Sequence, residues 1–348
     1  MDLKPLQSLV LSCALALSCA SSLALAAGGA NAAEVRAPAP GLKLDHILLW
    51  GRSLDQVTAV MSAKLGFRVA PGRDPGGLAN RYVRLADQSF IELLGVTRPN
   101  PELDPGAQSD QVSLKGGPGA RSFGIHTALL DQMQGFVRGQ GFAPTAIFTA
   151  GANDPDGQGP GKPPRWRLFA FERAPLSSSL FFIDYAPRRT DPASVADDRA
   201  QREHANGVQA LSEILLLSSD AEADRKQLEK MGFPGARPVR IPQLHARGYC
   251  VPVGPDSLVT LEPDGPGIAA DALTSGGPQM MGVGLGVADL DQAQHRVERG
   301  YETAVVRYAG LLGPSFLAPT QADLGLLIEF HALRPGASPA PCGQRRVP

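Results

Sequence analysis

The sequence predicts an α+β fold made of four βαβββ units, each a strand, a helix and about three further strands. The tripeptide Leu-Asp-Gln recurs at 54–56, 130–132 and 290–292, each time between an apolar strand-like run and a helix-like run. Each of these helix-like runs ends at a glycine followed by an aromatic residue. Each unit then closes on an apolar strand that carries one carboxylate. Repetition at this spacing indicates one supersecondary unit copied along the chain.

A fourth copy lacks the tripeptide but keeps the rest of the pattern. It begins with LSEILL, which is identical to LDHILL of the first copy at four of six positions. In this alignment Glu213 occupies the position of His46. The helix-like runs end at Gly66-Phe67, Gly141-Phe142, Gly232-Phe233 and Gly300-Tyr301. The closing strands are SFIELLG with Glu92, SLFFIDYA with Asp184, LVTLEPDG with Glu262 and LGLLIEFHA with Glu329. The units therefore span roughly 42–96, 120–187, 208–266 and 280–333.

A sheet of four strands with one helix leaves an open edge and an unfilled concave face, and pairing two units buries both. Four units therefore predict two barrels. We expect a first barrel over 42–187, a second over 208–333 and a disordered tail over 334–348. We also expect a monomer, since the units pair within one chain.

The composition of the chain excludes some classes of function. The 348 residues carry a formal net charge of −1 and are 19% charged, so the chain has no basic footprint for nucleic acid. No strand-GxxxxGK-helix context exists, which argues against a nucleotide cofactor.

The N-terminus reads as a secretory signal peptide over 1–33. Lys4 precedes a long apolar run, which ends at the small-x-small pattern Ala30-Asn31-Ala32. Cys19 follows Ala16-Leu17-Ser18, a poor match to a lipoprotein signal. No later run is long enough to span a bilayer, so we expect a periplasmic or secreted protein without a membrane span. Its mature chain would keep Cys250 and Cys342, and sequence alone leaves their pairing open.

The chain resembles the vicinal oxygen chelate superfamily, most closely its glyoxalase-like domain proteins. The resemblance covers about 42–333 and is carried by the segments Leu44-Asp45-His46-Ile47, Leu65-Gly66-Phe67, Ala79-Asn80-Arg81-Tyr82, Ser89-Phe90-Ile91-Glu92-Leu93, Phe181-Phe182-Ile183-Asp184 and His204-Ala205-Asn206-Gly207. It implies glyoxalase/bleomycin-resistance/dioxygenase-like barrels. In that superfamily, the first and last strands of each unit supply the ligands of a divalent metal, which chelates two neighbouring substrate oxygens.

Carried over to this chain, the resemblance makes four side chains candidate metal ligands, namely His46, Glu92, His126 and Asp184. Imidazole with carboxylate suits Zn, Fe, Mn or Ni. The first-strand ligand of unit two is ambiguous, because either Ser122 or Gly124 can align with His46. His126 aligns with neither, but it lies an even number of residues from both, so its side chain would point to the same face of the strand. Glu92 could instead pair with Arg81 or Arg84, leaving His46 as a hydrogen-bonded core residue.

The second barrel departs further from the family pattern. Its equivalent positions are Glu213, Glu262, Gly284 and Glu329, with no histidine among them. Extradiol dioxygenases need two histidines and one glutamate there, so the pattern argues against that chemistry. We expect this barrel to be structural.

Two classes of function follow. The first is an exported metal-dependent enzyme of glyoxalase type, a lyase, isomerase or hydrolase acting on a small molecule with adjacent oxygens, in which Glu92 or Asp184 moves a proton. The second is a non-catalytic binding or resistance-type protein that sequesters a small molecule without metal. The substrate-binding candidates are Phe90, Phe182, Arg165 and Trp166, which could hold an aromatic or anionic molecule by stacking and charge.

Export gives a direct prediction. Cleavage is expected after Ala32 or Ala33, because small residues precede both bonds. N-terminal sequencing of the protein recovered from the periplasm or medium checks it. A chain that keeps Met1 and stays in the cytosol would contradict it.

Overall fold

The structure, a computed structural model, describes residues 41–73, 78–96, 117–151, 159–187, 190–333 and 342. The expected signal peptide, its cleavage site and all of the expected tail except Cys342 lie outside these residues. The strands of the first sheet are β1 (Lys43–Trp50), β2 (Ala70–Pro71), β3 (Leu78–Arg84), β4 (Phe90–Val96), β5 (Gly119–His126), β6 (Phe148–Thr149), β7 (Trp166–Phe169) and β8 (Ser179–Tyr185). Those of the second are β9 (Val208–Leu217), β10 (Arg237–Ile241), β11 (Ala246–Val253), β12 (Asp256–Pro263), β13 (Gln279–Val287), β14 (Arg307–Ala309), β15 (Pro314–Ala318) and β16 (Leu327–Ala332).

The two sheets have the same topology. The first runs β2-β3-β4-β1-β5-β8-β7-β6 and the second runs β10-β11-β12-β9-β13-β16-β15-β14. In both, the first strands of two units pair antiparallel at the centre, and each also pairs parallel with the closing strand of its own unit. The prediction of four βαβββ units paired into two barrels is confirmed.

Three helices begin at the leucine of the repeated tripeptide, as predicted: α1 (Leu54–Ala59, extended by a π-helical turn over Val60–Lys64), α2 (Leu130–Gly139) and α6 (Leu290–Tyr301). The others are α3 (Pro192–Gln201), α4 (Ala221–Lys230), α5 (Ile268–Gly276) and α7 (Gln321–Leu324). Ser53 caps α1 by accepting a hydrogen bond from the backbone N–H of Gln56. Gly66 ends the helical segment with a φ of +81°, a conformation that glycine adopts without steric cost.

The fourth predicted stop, at Gly300-Tyr301, is wrong by two residues. Helix α6 runs through both, and Glu302 adopts the left-handed conformation that ends it. Gly300 has a different role, because a Cβ atom there would lie 1.9 Å from the carbonyl oxygen of Lys64. Its missing side chain lets the π-helical turn of unit one approach α6 closely.

Each central strand pair contains a β-bulge at the same place. The register of β1 against β5 shifts between Leu44 and His46, which leaves Asp45 as the extra residue. The register of β9 against β13 shifts between Leu211 and Glu213, which leaves Ser212. The bulge is thus part of the repeat.

Two carboxyl groups join the barrels next to these bulges, that of the buried Asp256 and that of the half-buried Asp87. Asp256 of the second barrel accepts a hydrogen bond from the backbone N–H of Leu44 at 2.9 Å. Reciprocally, Asp87 of the first barrel accepts from the backbone N–H of Leu211 at 3.1 Å. Since Leu44 and Leu211 occupy equivalent positions, the contact repeats in both directions. Burial raises the pKa of Asp256 to about 8, with the charge of Asp87 as a further cause.

One hydrophobic core lies between the helix-covered faces of both sheets and contains residues from every unit. A second, smaller cluster fills the concave face of the second sheet with side chains that include Leu215, Val259 and Ala269 of α5. The disulfide Cys250–Cys342 lies in this cluster and ties Cys342 to β11. The concave face of the second barrel is therefore closed by the protein itself. Among the described residues, no helix has the length and apolarity needed to cross a membrane.

The buried carboxylate at the barrel interface predicts a pH effect on stability. A carboxyl whose pKa is raised in the folded state favours folding while it is protonated, and that contribution is lost as the pH rises from about 4 towards 8. Asp256→Asn keeps an acceptor for Leu44 but removes the charge. The variant should therefore gain stability over the wild type as the pH rises, by about 1–3 kcal/mol at pH 8.

Urea unfolding at pH 5 and pH 8 measures this difference. Asp271→Asn, an exposed position on α5, is the matched control and should show no such change between the two pH values. Equal pH dependence for wild type and Asp256→Asn would show that the carboxyl is not perturbed.

Candidate functional site

The concave face of the first sheet encloses an open cavity of ≈ 1270 Å³, called the first cup below. His46 and Glu92, both predicted site residues, line it. Strands β1, β3, β4, β5, β7 and β8 all contribute to its lining. Where a strand contributes several residues they alternate, as Phe90 and Glu92 do on β4, because successive side chains point to opposite faces. The first cup is large enough for a small organic molecule.

One row of paired residues crosses the floor of the cup. Cα pairing connects Arg84 to Phe90, Phe90 to His46, His46 to Gly124 and Gly124 to Phe181. The ring of His46 stacks on Phe90 with centroids 4.1 Å apart and meets the edge of Phe181 at 5.1 Å. Gly124 leaves room for this packing. The aromatic rings hold the imidazole in one orientation.

His46 forms a buried pair with the bulge residue Asp45. Its Nδ1 lies 2.5 Å from the Asp45 carboxylate, and the side chains are only 5% and 3% exposed. The hydroxyl of Tyr185 donates to the same carboxylate oxygen at 2.6 Å. A carboxylate accepts hydrogen bonds and does not donate them, so this contact favours the imidazole tautomer with its hydrogen on Nδ1, in which Nε2 is an acceptor.

Glu92 lies opposite that acceptor. Its Oε2 is 3.8 Å from Nε2 of His46, which is longer than a hydrogen bond. Its Oε1 accepts from the amide of Asn80 at 2.7 Å, and the same amide donates to the hydroxyl of Tyr82 at 2.9 Å. A proton donor placed between His46 and Glu92 would therefore meet two acceptors.

The expectation that Asp184 joins this pair is wrong. Asp184 lies on the opposite face of β8, where its carboxylate accepts two hydrogen bonds from Arg167, which also binds Asp131 of α2. Asp184 holds the pKa of the Arg167 guanidinium above its ordinary value. The register explains the error, since Ile183 and not Asp184 shares the cup-facing side with Phe181. A shift of one residue moves a side chain to the other face.

Phe182 shares that opposite face and was also placed wrongly. It is fully buried in the core and stacks on Phe169, while its neighbour Phe181 lines the cup. Phe90, Arg165 and Trp166 line the cup as predicted. His126 is not among the lining residues. Its ring is parallel to that of Tyr185 with centroids 6.2 Å apart, and its Nδ1 lies 3.2 Å from the carbonyl oxygen of Gly41.

These residues do not fit the metal centre that the resemblance implies. Of the residues Phe90, His46, Gly124 and Phe181 on the central row, only His46 has an atom that could bind a metal, its Nε2, because its Nδ1 is bound to Asp45. Within the described ranges, no group of three or more His, Cys, Asp or Glu side chains could hold a metal ion. Among the described residues, the central row and Glu92 offer His46 and Glu92 as a facing pair, and neither Asp184 nor His126 completes the predicted set of four ligands.

The equivalent row of the second barrel contains Ser257, Glu213, Gly284 and Glu329. The prediction that Glu213 corresponds to His46 is confirmed. Burial, with the nearby charge of Glu329, raises the pKa of Glu213 well above its ordinary value. Tyr308 donates a hydrogen bond to Glu329, whose pKa is raised by burial.

Glu262, expected at a ligand-type position of that barrel, lies on the helix-covered face of β12. There it pairs with Arg247 at 2.9 Å and accepts a hydrogen bond from the backbone N–H of Ala221. The second barrel therefore keeps two buried carboxyl groups inside a filled concave face.

Sequence reasoning missed Asp45 and Tyr185. Asp45 was quoted in the segment that carries the resemblance, but strict alternation would have turned it away from His46. Tyr185 directly follows the misassigned Asp184. Reading β8 by alternation from Phe181 would have placed Ile183 and Tyr185 in the cup.

A family model described as a glyoxalase-like domain matches residues 44–232, which is 189 of the 348 residues. The chain belongs to this glyoxalase-like domain family of the vicinal oxygen chelate superfamily. Among curated proteins, none matches the sequence significantly.

Solved structures share the whole architecture at low sequence identity. A mutant of 4-hydroxymandelate synthase from Streptomyces coelicolor superposes with a TM-score of 0.62 at 12% identity, covering 87% of this chain and 98% of that one. A catechol 2,3-dioxygenase gives 0.53 at 17% identity over 87% and 95%. A hypothetical protein from Staphylococcus aureus gives 0.51 at 14% over 84% and 100%. These identities establish a common fold and leave the reaction of this chain open.

Packing at the floor of the cup predicts the effect of filling Gly124. A Cβ atom there would lie 2.6 Å from Cε2 of Phe181 and 3.3 Å from Cε1 of His46. Gly124→Ala should therefore displace Phe181 and destabilise the fold by about 1–3 kcal/mol in urea unfolding. Gly135→Ala is the control, because a Cβ atom on that helical residue meets no atom within 4 Å and alanine favours a helix. Equal stability of the two variants would contradict the tight packing around His46.

Proposed function

We propose that this protein is an exported enzyme of glyoxalase type that transfers a proton on a small molecule bound in the first cup, with His46 as the general base. One observation carries the proposal. A buried carboxylate holds Nδ1 of His46, and the free acceptor Nε2 faces an open cavity. Asp45 thereby selects the tautomer that can accept a proton and stabilises the imidazolium that forms.

The arrangement suits abstraction of a proton from carbon beside a carbonyl group. Nε2 of His46 would take the proton, and the electron pair of the C–H bond would pass to the carbonyl oxygen as an enolate. Return of the proton to a different atom gives an isomerase, and loss of a leaving group gives a lyase. Glu92, fixed by Asn80, is the second group in position to accept or return a proton.

The proposal assigns no step to a metal, because the donor set of the first cup lacks the ligands that the family centre needs. This replaces the four-ligand expectation drawn from the sequence.

Export is supported by the disulfide Cys250–Cys342, since such bonds persist mainly in oxidising compartments. It agrees with the signal peptide predicted over 1–33. Both observations favour a periplasmic or secreted enzyme.

A second candidate is a non-catalytic protein that sequesters a small molecule. The size of the cavity and its aromatic wall favour it, because these features serve binding whether or not chemistry follows. An experiment that measures both binding and proton exchange separates this candidate from the enzyme.

The test is hydrogen–deuterium exchange into a panel of small 2-oxo and 2-hydroxycarbonyl compounds in D2O, followed by proton NMR. The wild type should catalyse exchange on at least one compound. His46→Asn and Asp45→Asn should each lower the rate by about 10²–10⁴-fold, the usual contribution of a positioned base. The exposed His295→Asn on α6 is the matched control and should leave the rate unchanged.

Two outcomes would replace the proposal. Saturable binding without exchange of any bound compound would favour the sequestering protein. The other outcome comes from metal analysis of the purified mature chain. If near-stoichiometric metal is found, and if it is lost in both His46→Asn and Glu92→Gln, the hypothesis of a metal-dependent enzyme would replace the proposal.

A further inference from the structure

Among the described residues that line the first cup, cationic side chains outnumber carboxylates. The cationic side chains are those of Arg73, Arg84, Lys162, Arg165 and Arg202, and the carboxylates are those of Glu92 and Asp198. The whole chain, in contrast, has a formal net charge of −1. A cavity with cationic walls concentrates anions, because field lines are focused between its walls of low dielectric constant.

Asp198 does not balance this charge. On α3, its two oxygens each accept a hydrogen bond from Arg202 at 2.9 Å, and Arg202 also donates to the carbonyl oxygen of Leu85. Nη1 of Arg84 is 3.9 Å from Oδ1 of Asp198, longer than a hydrogen bond. The carboxylate is therefore satisfied mainly by Arg202, which leaves Arg84 as a cation with weak compensation.

Arg84 is also short of an acceptor. Its Nε is buried and has no hydrogen-bond partner among the residues that the structure describes. The guanidinium carbon lies 5.3 Å from the ring centroid of Tyr82, so the side chain is held in place by cation–π attraction. The Arg84 side chain lines the cup and is 37% exposed, and a planar, positioned guanidinium matches the geometry of a carboxylate.

The register sets the distance between this cation and the proposed base. Arg84 pairs with Phe90, and Phe90 pairs with His46. Neighbouring strands are about 4.8 Å apart, so the backbones of Arg84 and His46 are separated by about 10 Å. A carboxylate bound by Arg84 would place the adjoining atoms of a small molecule over Phe90, within reach of His46.

The remaining wall suits a flat apolar body. Phe148 is 43% exposed although it is a large hydrophobic side chain. It lies against Trp166, with ring centroids 5.6 Å apart, and both rings line the cup. Arg165, next to Trp166, also lines the cup, and its side chain has no ion-pair partner among the described residues. An aromatic wall beside a cation binds aromatic anions by stacking and charge.

We infer that the first cup binds an organic carboxylate with a flat apolar body, and that Arg84 is the residue that receives the carboxylate. The inference rests on the proposed function in one respect: the bound carboxylate presents its neighbouring carbon to Nε2 of His46. It deepens that proposal by naming the substrate class.

The test compares two probes of the same shape. Isothermal titration calorimetry measures binding of naphthalene-2-carboxylate and of the neutral naphthalene-2-carboxamide to the full mature protein. The wild type should bind the carboxylate about tenfold more tightly or better, a difference that shrinks as salt is added. Arg84→Gln should abolish that preference. Arg81→Gln is the matched control, since Arg81 lies on the same strand but faces outward to Asp55 and Thr58.

Circular dichroism confirms that each variant is folded. If Arg84→Gln does not fold, Arg165→Gln takes its place and should reduce the preference severalfold. Equal affinity of the wild type for both probes overturns the inference. So does an unchanged preference in folded Arg84→Gln, or no saturable binding of the carboxylate up to millimolar concentration.

His46→Asn separates this inference from the proposed function. It should keep the preference for the carboxylate and lose only the exchange reaction. A wild type that prefers the carboxylate but exchanges no proton would remove the catalytic proposal and leave the binding site standing. A wild type that exchanges protons but does not prefer the carboxylate would overturn the carboxylate-binding inference and leave the catalytic proposal standing.

Discussion

The site depends on one irregularity in the sheet, the β-bulge in the first strand of the first barrel. Regular alternation would send Asp45 and His46 to opposite faces. The extra residue breaks that alternation, so Asp45 can hold Nδ1 of His46 at 2.5 Å. Beside the same bulge, the backbone N–H of Leu44 is satisfied by Asp256 of the second barrel. A single local distortion therefore builds the proposed catalytic pair and also anchors one barrel to the other.

The two barrels have the same strand order and pairing because they are built from the same repeated unit. Their concave faces differ. The first remains open and is lined by aromatic and cationic side chains. The second is filled by a hydrophobic cluster that includes α5 and the disulfide of Cys342. Burial there raises the pKa values of Glu213 and Glu329, which favours their neutral forms. The second barrel contributes core and interface, while the first keeps the solvent-accessible site.

Periodic features could be predicted from the sequence, and irregular ones could not. The four units and the cup-facing positions of His46 and Glu92 follow from repeats and alternation. Asp184 was misplaced because the closing strand of unit two was aligned by its carboxylate and not by its alternation with Phe181. Asp45 could not be placed, because a bulge leaves no mark in the hydrophobic pattern. The pairing of Cys250 with Cys342 depends on contacts across a sequence separation of 92 residues.

The second barrel also shows that the fold does not require the Asp45–His46 pair. The equivalent bulge there holds Ser212 followed by Glu213, with the same strand order around it. Burying a carboxylate costs desolvation energy even when it is hydrogen-bonded, and well-packed apolar alternatives are often as stable. A structural explanation would need the pair to serve packing or register, yet the second barrel achieves both without it. The pair occurs where the cup is open and its described wall is rich in cationic side chains, which is the place that the proposed function requires.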